Sequence, residues 1–346
     1  MTHPYENLPK SAFWRGAIAG RETRALPGIW QPKHPLEQDT KVASYGSCFA
    51  QHIGKALAAR GRHWVQSEPA PHGLRPEHRA AFGYDLFSSR TGNIYTSSML
   101  LNWCRWALME EAMPREIWQG EDGLIDPVRA GLEPGGFADR DEFFAARQTS
   151  VAAFRKAVET ADLFVFTLGL TESWVNKTTK MEYQICPGTI AGQFDPSLHA
   201  FVNTGFPEVL ASLEAAFDLL RAANGKLKFL LTVSPVPLTA TASGGHVLTA
   251  TTYSKSVLRA VAGEMATRYR DVDYFPSYEL ITAPTMRGSF YSENQRSVTP
   301  AGVQFVMRHF FEAEGVSAAK PAPVQSPSEA DLICEEEILD AFGDTR

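Results

Sequence analysis

Cysteine is scarce in this sequence, and the few present do not pair. Cys48, Cys104, Cys186 and Cys334 lie scattered along 346 residues, with no CxxC spacing and no Cys/His cluster. That pattern argues against a disulfide scaffold and a structural zinc site and fits a reducing compartment. Long apolar runs are missing too. No stretch approaches the roughly 18 uninterrupted apolar residues of a membrane span, and the leading MTHPYENLPKSAFWRG has no signal-peptide core. An excess of positive charge is also lacking: 33 Lys and Arg face 39 Asp and Glu, a net charge of −6. That balance argues against a dedicated nucleic-acid binder. There is no internal repeat, no GxxxxGK[ST], no GxGxxG after a strand, no HExxH and no EF-hand loop. The expectation is a soluble cytoplasmic protein with no cofactor, no metal, no membrane span and no nucleic-acid partner.

What is present is material for a large core. The chain carries 21 Phe, 7 Trp and 10 Tyr, and 44% of it is hydrophobic, which excludes general disorder. Residues 1–40 are rich in proline, aromatics and charge and read as an arm packed on the core through Tyr5, Phe13, Trp14 and Trp30. From residue 41 a strand-then-helix pattern repeats. Strands are predicted at Lys41–Tyr45, Leu163–Leu168, Leu227–Val233 and Val272–Phe275. Helices are predicted at Ala50–Arg60, Val151–Thr160, Phe206–Ala223, Ser254–Tyr269 and Pro300–Glu314. Short continuous apolar strands between helices imply a mostly parallel sheet covered on both faces. The expected fold is therefore a three-layer α/β/α domain of flavodoxin-like type over residues 41–316. Residues 317–328 read as a Pro/Ser-rich linker and 329–346 as an acidic tail, with Cys334, Ile338 and Phe342 spaced for one face of a short helix. Such a helix would dock back on the domain or bind a protein partner; a solvated tail is the plain alternative.

The sharpest local signal is Gly46-Ser47-Cys48-Phe49-Ala50, between a strand and a helix. A glycine permits a tight turn, and a serine at a helix N-terminus sits beside unpaired N–H groups that can stabilise an oxyanion. On local grounds Ser47 is either a nucleophile or a helix cap. Cys48 is either a thiol nucleophile or a core residue. The segments SYGSCFAQHIG (44–54), TLGLTESW (167–174), SPVPL (234–238), YSKSVLRAVA (253–262) and YFPSYE (274–279) resemble the GSCFA family, which looks like a branch of the SGNH hydrolase superfamily. The resemblance implies that Ser47 is the nucleophile. It also implies that the Gly169-Leu170-Thr171 block gives oxyanion donors, with Thr171 where asparagine is usual, and that Gly92 or Asn93 gives another. Ser47, Gly169, Pro235 and Ser277 each follow a predicted strand, so they should converge at the carboxyl edge of the sheet.

The superfamily's last block, Asp-x-x-His, is altered here: Asn294 stands for Asp and Ser297 for His. That removes the usual proton acceptor for a serine hydroxyl. His246, in a glycine-rich loop after the Leu227–Val233 strand, is the first replacement considered, ahead of His52; His309, His72 and His78 follow. Glu279 would orient the base, and Glu172 would bind substrate or a loop, although either could be a surface charge. Arg287 and Arg296 flank the altered block and could bind an anionic substrate or neutralise Glu293. Two functions follow. One is a serine esterase or O-acyltransferase acting on an O-acyl group, often acetyl, of a carbohydrate or similar polar molecule. The other is a non-catalytic ligand-binding protein on the same scaffold.

Overall fold

The computed structural model describes residues 3–20, 24–316 and 334–343. In chain order the elements are β1 (Val42–Gly46), α1 (Ala50–Ala58), α2 (Pro76–Arg79), α3 (Ser97–Leu108), β2 (Trp118–Gln119), β3 (Leu124–Ile125), α4 (Arg140–Thr160) and β4 (Leu163–Leu168). Then come β5 (Glu172–Asn176), β6 (Glu182–Tyr183), β7 (His199–Asn203), α5 (Phe206–Ala223), β8 (Lys228–Val233), α6 (Val247–Arg268), β9 (Val272–Tyr274), α7 (Ser277–Thr282) and α8 (Pro300–Ala313). A 3-10 helix over Glu335–Phe342 follows, and the linker expected at 317–328 lies outside the described residues.

β1, β4, β8 and β9 pair in that order as a parallel sheet. A single parallel bridge from Val42 to Trp64 sits on the other edge of β1. With that bridge counted as a rudimentary strand, the order is the flavodoxin-like 2-1-3-4-5, and it reverses direction between β1 and β4. Alternation along the strands divides the interior. Leu163 and Val165 of β4 join the core under α1, α7 and α8, while Phe164, Phe166 and Leu168 join the larger core under α3, α4, α5 and α6. This is the three-layer α/β/α architecture the sequence pattern implies.

Two helices start earlier than their apolar periodicity suggests, because polar caps begin them. Asp139 accepts from the amides of Asp141 and Glu142 and opens α4 at Arg140; His246 accepts from the Leu248 amide and opens α6 at Val247. The antiparallel sheet β6-β5-β7 was not foreseen: it is inserted between β4 and α5, and its strands are short. It forms one wall of the site described below.

The N-terminal arm is anchored more locally than its aromatic content suggests. Trp30 is buried against Phe275 and Phe310, and its indole N–H donates to Asp273 at 3.2 Å. The Lys33 ammonium donates to the Val272 carbonyl at 2.7 Å and also to that of Ala266. Tyr5, Phe13 and Trp14 are exposed, so of the four expected anchors Trp30 is the buried one.

Gly46 ends β1 with φ +132°, and a Cβ there would collide with the Thr167 backbone. Gly46→Ala should therefore cost at least about 2 kcal/mol from strain and overpacking. A urea titration reading the unfolding midpoint checks this; an unchanged midpoint would mean the strand ends are not packed this tightly.

Candidate active site at the β1–β4 crevice

Ser47 follows β1 directly, and its amide donates to the Thr167 carbonyl at 3.1 Å. Gly169 follows β4, and a Cβ there would stand 2.9 Å from Ser47 Cβ. The two strand ends thus meet at the switch point of the sheet, where open α/β folds place their ligands. Ser47 is buried, and its Oγ has no hydrogen-bond partner among the described residues. The buried hydroxyls of Thr167 and Thr239 are likewise without a partner, and Ser47 differs from them in its place at the strand crossing. α1 begins just after it, but the first amides of the helix are taken: those of Ala50, Gln51 and His52 donate to the carbonyls of Ser47, Cys48 and Phe49.

The residues expected around Ser47 divide into those the fold gathers and those it does not. Asn93 is gathered: it is buried, its Oδ1 accepts from Gln51 at 3.3 Å, and its Nδ2 points at a tail carboxylate described below. Gly92 has φ +66°, and its missing Cβ leaves room for Gln184, which donates to the Asn93 carbonyl at 3.2 Å. Gly169 is against Ser47, but its amide is committed to the Tyr95 carbonyl at 3.1 Å. Thr171 does not act as an oxyanion donor in this arrangement. Its hydroxyl donates to Asn203 at 2.8 Å and its amide to Ser254 at 3.1 Å, because β5 turns away into the inserted sheet. Glu172 lines the large cavity, and its carboxylate accepts from Thr241 at 2.8 Å.

The relay expected from His246 and Glu279 is not assembled. His246 is exposed, and its ring caps α6. Glu279 is held by Arg259 at 2.5 Å and by the Tyr274 hydroxyl at 2.7 Å. The other histidines do not replace them. Burial pushes His52 down to about 3, far from a useful base; His309 bonds the Phe305 carbonyl within α8; His72 and His78 are exposed. Asn294 and Ser297 bond each other at 2.9 Å and line a cavity of about 350 Å³ with Cys48 and His52. The altered block therefore shares a cavity with Cys48, the residue that follows Ser47.

What sequence reasoning missed is Lys255. It lies on the buried face of α6 with Ser254, Leu258 and Ala262, and its ammonium donates to the Gly169 carbonyl at 2.7 Å. Burial pushes its pKa down to about 8, while the nearby Glu336 opposes that shift. A lysine on an otherwise apolar helical stripe was the available signal. Cys48, next to Ser47, is driven the other way: a hydrogen bond with Cys334 and burial raise its thiol pKa well above the usual range. That leaves Cys48 protonated and a poor nucleophile.

The acidic tail is part of this site. Glu335 is buried, and its carboxyl accepts from Asn93 at 2.5 Å and from the Tyr95 hydroxyl at 2.8 Å. Arg296 is not free for a substrate: it reaches Glu336 at 3.6 Å, Glu337 at 3.3 Å and the Cys334 sulfur at 3.6 Å. The tail is a 3-10 helix, whose period of three replaces the expected i, i+4, i+8 stripe. Glu336, Leu339 and Phe342 accordingly line a cavity of about 740 Å³ whose other walls include Leu170, Trp174 and Phe201.

The model of the GSCFA family matches residues 41–310. The chain belongs to the GSCFA family. The match spans β1 to α8 and stops before the acidic tail. No curated protein matches the chain. Among the described residues no helix is long and apolar enough to cross a membrane, and no group of His, Cys, Asp and Glu could hold a metal ion.

Iodoacetamide at pH 8 should alkylate Cys48 in the folded protein at least about tenfold more slowly than in urea. Peptide mass spectrometry reads this directly, and equal rates would remove the buried Cys48–Cys334 contact.

Proposed function

We propose that this GSCFA-family chain is a serine acyl-transfer enzyme, an esterase or O-acyltransferase of SGNH type, in which Lys255 takes the place of the missing histidine. The carrying observation is the position of Lys255. Its Nζ lies 2.7 Å from the carbonyl of Gly169, the residue packed against Ser47, and burial holds its pKa near the working range of a base, about 8. Ser–Lys pairs are a known variant of the Ser–His–Asp arrangement.

In this reading Ser47 Oγ attacks the carbonyl carbon of an ester, and its proton passes to neutral Lys255, directly or through one water. Collapse of the tetrahedral intermediate breaks the bond to the leaving alcohol, which takes that proton and leaves an acyl group on Ser47. Water or an acceptor hydroxyl then attacks the acyl carbon, again giving its proton to Lys255, which passes it back to Ser47 as the product leaves. The side-chain amide of Asn93, now bonded to Glu335, is the donor for the oxyanion once that carboxyl group leaves it. The acyl group of a carbohydrate or similar polar molecule is the substrate class the superfamily resemblance implies.

A second reading, a ligand-binding protein without turnover, is favoured by one observation. The donors at Gly169 and Thr171 are already committed, so part of the usual oxyanion hole is absent.

A fluorophosphonate probe separates the two. Labelling should occur on wild type and vanish in Ser47→Ala. Lys255→Met should lower its rate by about 100-fold or more, while His246→Ala should leave it within about twofold. The rate should climb with pH and level off above about 8, because Lys255 accepts a proton only when neutral; the charged side chains facing it are Glu336 and Arg296, with the thiols of Cys48 and Cys334 beside them. A wild type that is folded but unlabelled would favour the binding protein.

A further inference from the structure

The tail does not merely cover the site; it presents the chemistry of a ligand. Glu335 brings a carboxyl group into a polar nook formed by Asn93, Tyr95 and Gln184. The nook is shaped for it. Gly131 forms its back, and a Cβ there would stand 2.9 Å from Glu335 Cγ and 3.0 Å from its Oε1. One residue further along, the same segment turns Glu336, Leu339 and Phe342 towards the large cavity. That cavity is walled mainly by apolar and aromatic side chains, among them Leu170, Trp174, Ile185, Phe194, Phe201 and Leu238. Tyr95 and Gln184 line the cavity as well as bonding Glu335, so the nook and the cavity are continuous.

We propose that residues Cys334–Phe342 are a built-in pseudosubstrate, and that the ligand they imitate is a carboxylic acid with an extended apolar body, or its ester. The carboxyl head takes the nook of Asn93, Tyr95 and Gln184 now held by Glu335. The apolar body takes the cavity that Leu339 and Phe342 partly fill. Only the word ester rests on Ser47 acting as a nucleophile; recognition of the acid itself does not. The segment is fastened chiefly by Arg296, through Glu336, Glu337 and Cys334. Because it is tethered, it competes at a high effective concentration, and an external ligand binds only as the segment lifts. Departure of Glu336 also removes the carboxylate that favours the charged form of Lys255.

Decanoate supplies both parts of such a ligand, acetate only the head, and decyltrimethylammonium only the chain with the opposite charge. Their affinities for the full-length chain would be read by calorimetry. Alkylation of Cys334 by iodoacetamide would report whether the segment is seated. Decanoate should bind wild type at least about tenfold more tightly than either control, and saturating decanoate should accelerate Cys334 alkylation. In Leu339→Ser/Phe342→Ser, decanoate should bind at least about tenfold more tightly than in wild type, with fast Cys334 alkylation in its absence. Gly131→Ala should expose Cys334 yet lose decanoate, since the new methyl group fills the head position. Equal decanoate affinity in wild type and the double variant, with Cys334 unaffected, would overturn the proposal. So would controls that bind as well as decanoate, or no decanoate binding by the double variant. The double variant alters only the partly exposed segment, so it keeps the test decisive if Gly131→Ala does not fold. None of these readouts needs turnover, so a failure of fluorophosphonate labelling would be distinguishable from a failure of ligand recognition.

Discussion

The close approach of two strand ends governs this site. The exit of β1 and the exit of β4 touch backbone to backbone, with Ser47 N–H on the Thr167 carbonyl and Gly169 against Ser47 Cβ. Neither Gly46 nor Gly169 has space for a methyl group, and Gly46 also has a backbone angle that L side chains rarely adopt. From that contact the rest follows. Ser47 is buried at the switch point, α1 starts directly behind it, and the Gly169 carbonyl is turned to receive the Lys255 ammonium.

Electrostatics around that contact is arranged by burial and by the tail together. Lys255, Arg296, Glu336 and the Cys48–Cys334 pair influence one another within a small, poorly solvated volume. Burial opposes the charge on Arg296, but Cys334 and Glu336 outweigh it and hold the guanidinium charged. Glu335 is drawn towards its neutral form by burial, and Glu336 is pushed up to about 7 for the same reason. A segment carrying three consecutive acids can lie in this site because one acid meets hydroxyl and amide donors and the next two share a guanidinium.

Much of the fold was legible because parallel strands buried on both faces are continuous apolar runs. Leu163–Leu168 and Phe206–Ala223 end where the sequence reading ends them. The inserted sheet was not legible: β6 is only two residues long, and β7 reaches β5 from beyond it, so no local pattern marks the pairing. Ser47, Asn93 and Gly169 were readable through their place after a strand or within a motif. Lys255 was hidden because a lysine on a helix is ordinarily read as surface, and its burial depends on where α6 crosses the end of β4. His246 looked available because it followed glycines in a loop; in the fold its ring is used as a helix cap. The tail's placement depended on a period of three, which a helical wheel of about 3.6 residues per turn does not test.

β9 is the last strand of the central sheet and would present an open edge. The arm through Trp30 and Lys33 lies along that edge. Lys33 occupies the Val272 carbonyl, and the Asp273 carboxylate receives both the Trp30 indole and the Lys33 amide. An uncovered strand invites pairing with another chain, and a lysine placed across it is a common safeguard. The arm therefore guards that edge against pairing with another chain as much as it stabilises the fold. Loss of the arm through Trp30 and Lys33 would leave the crevice between β1 and β4 in place while uncovering a strand edge open to self-association.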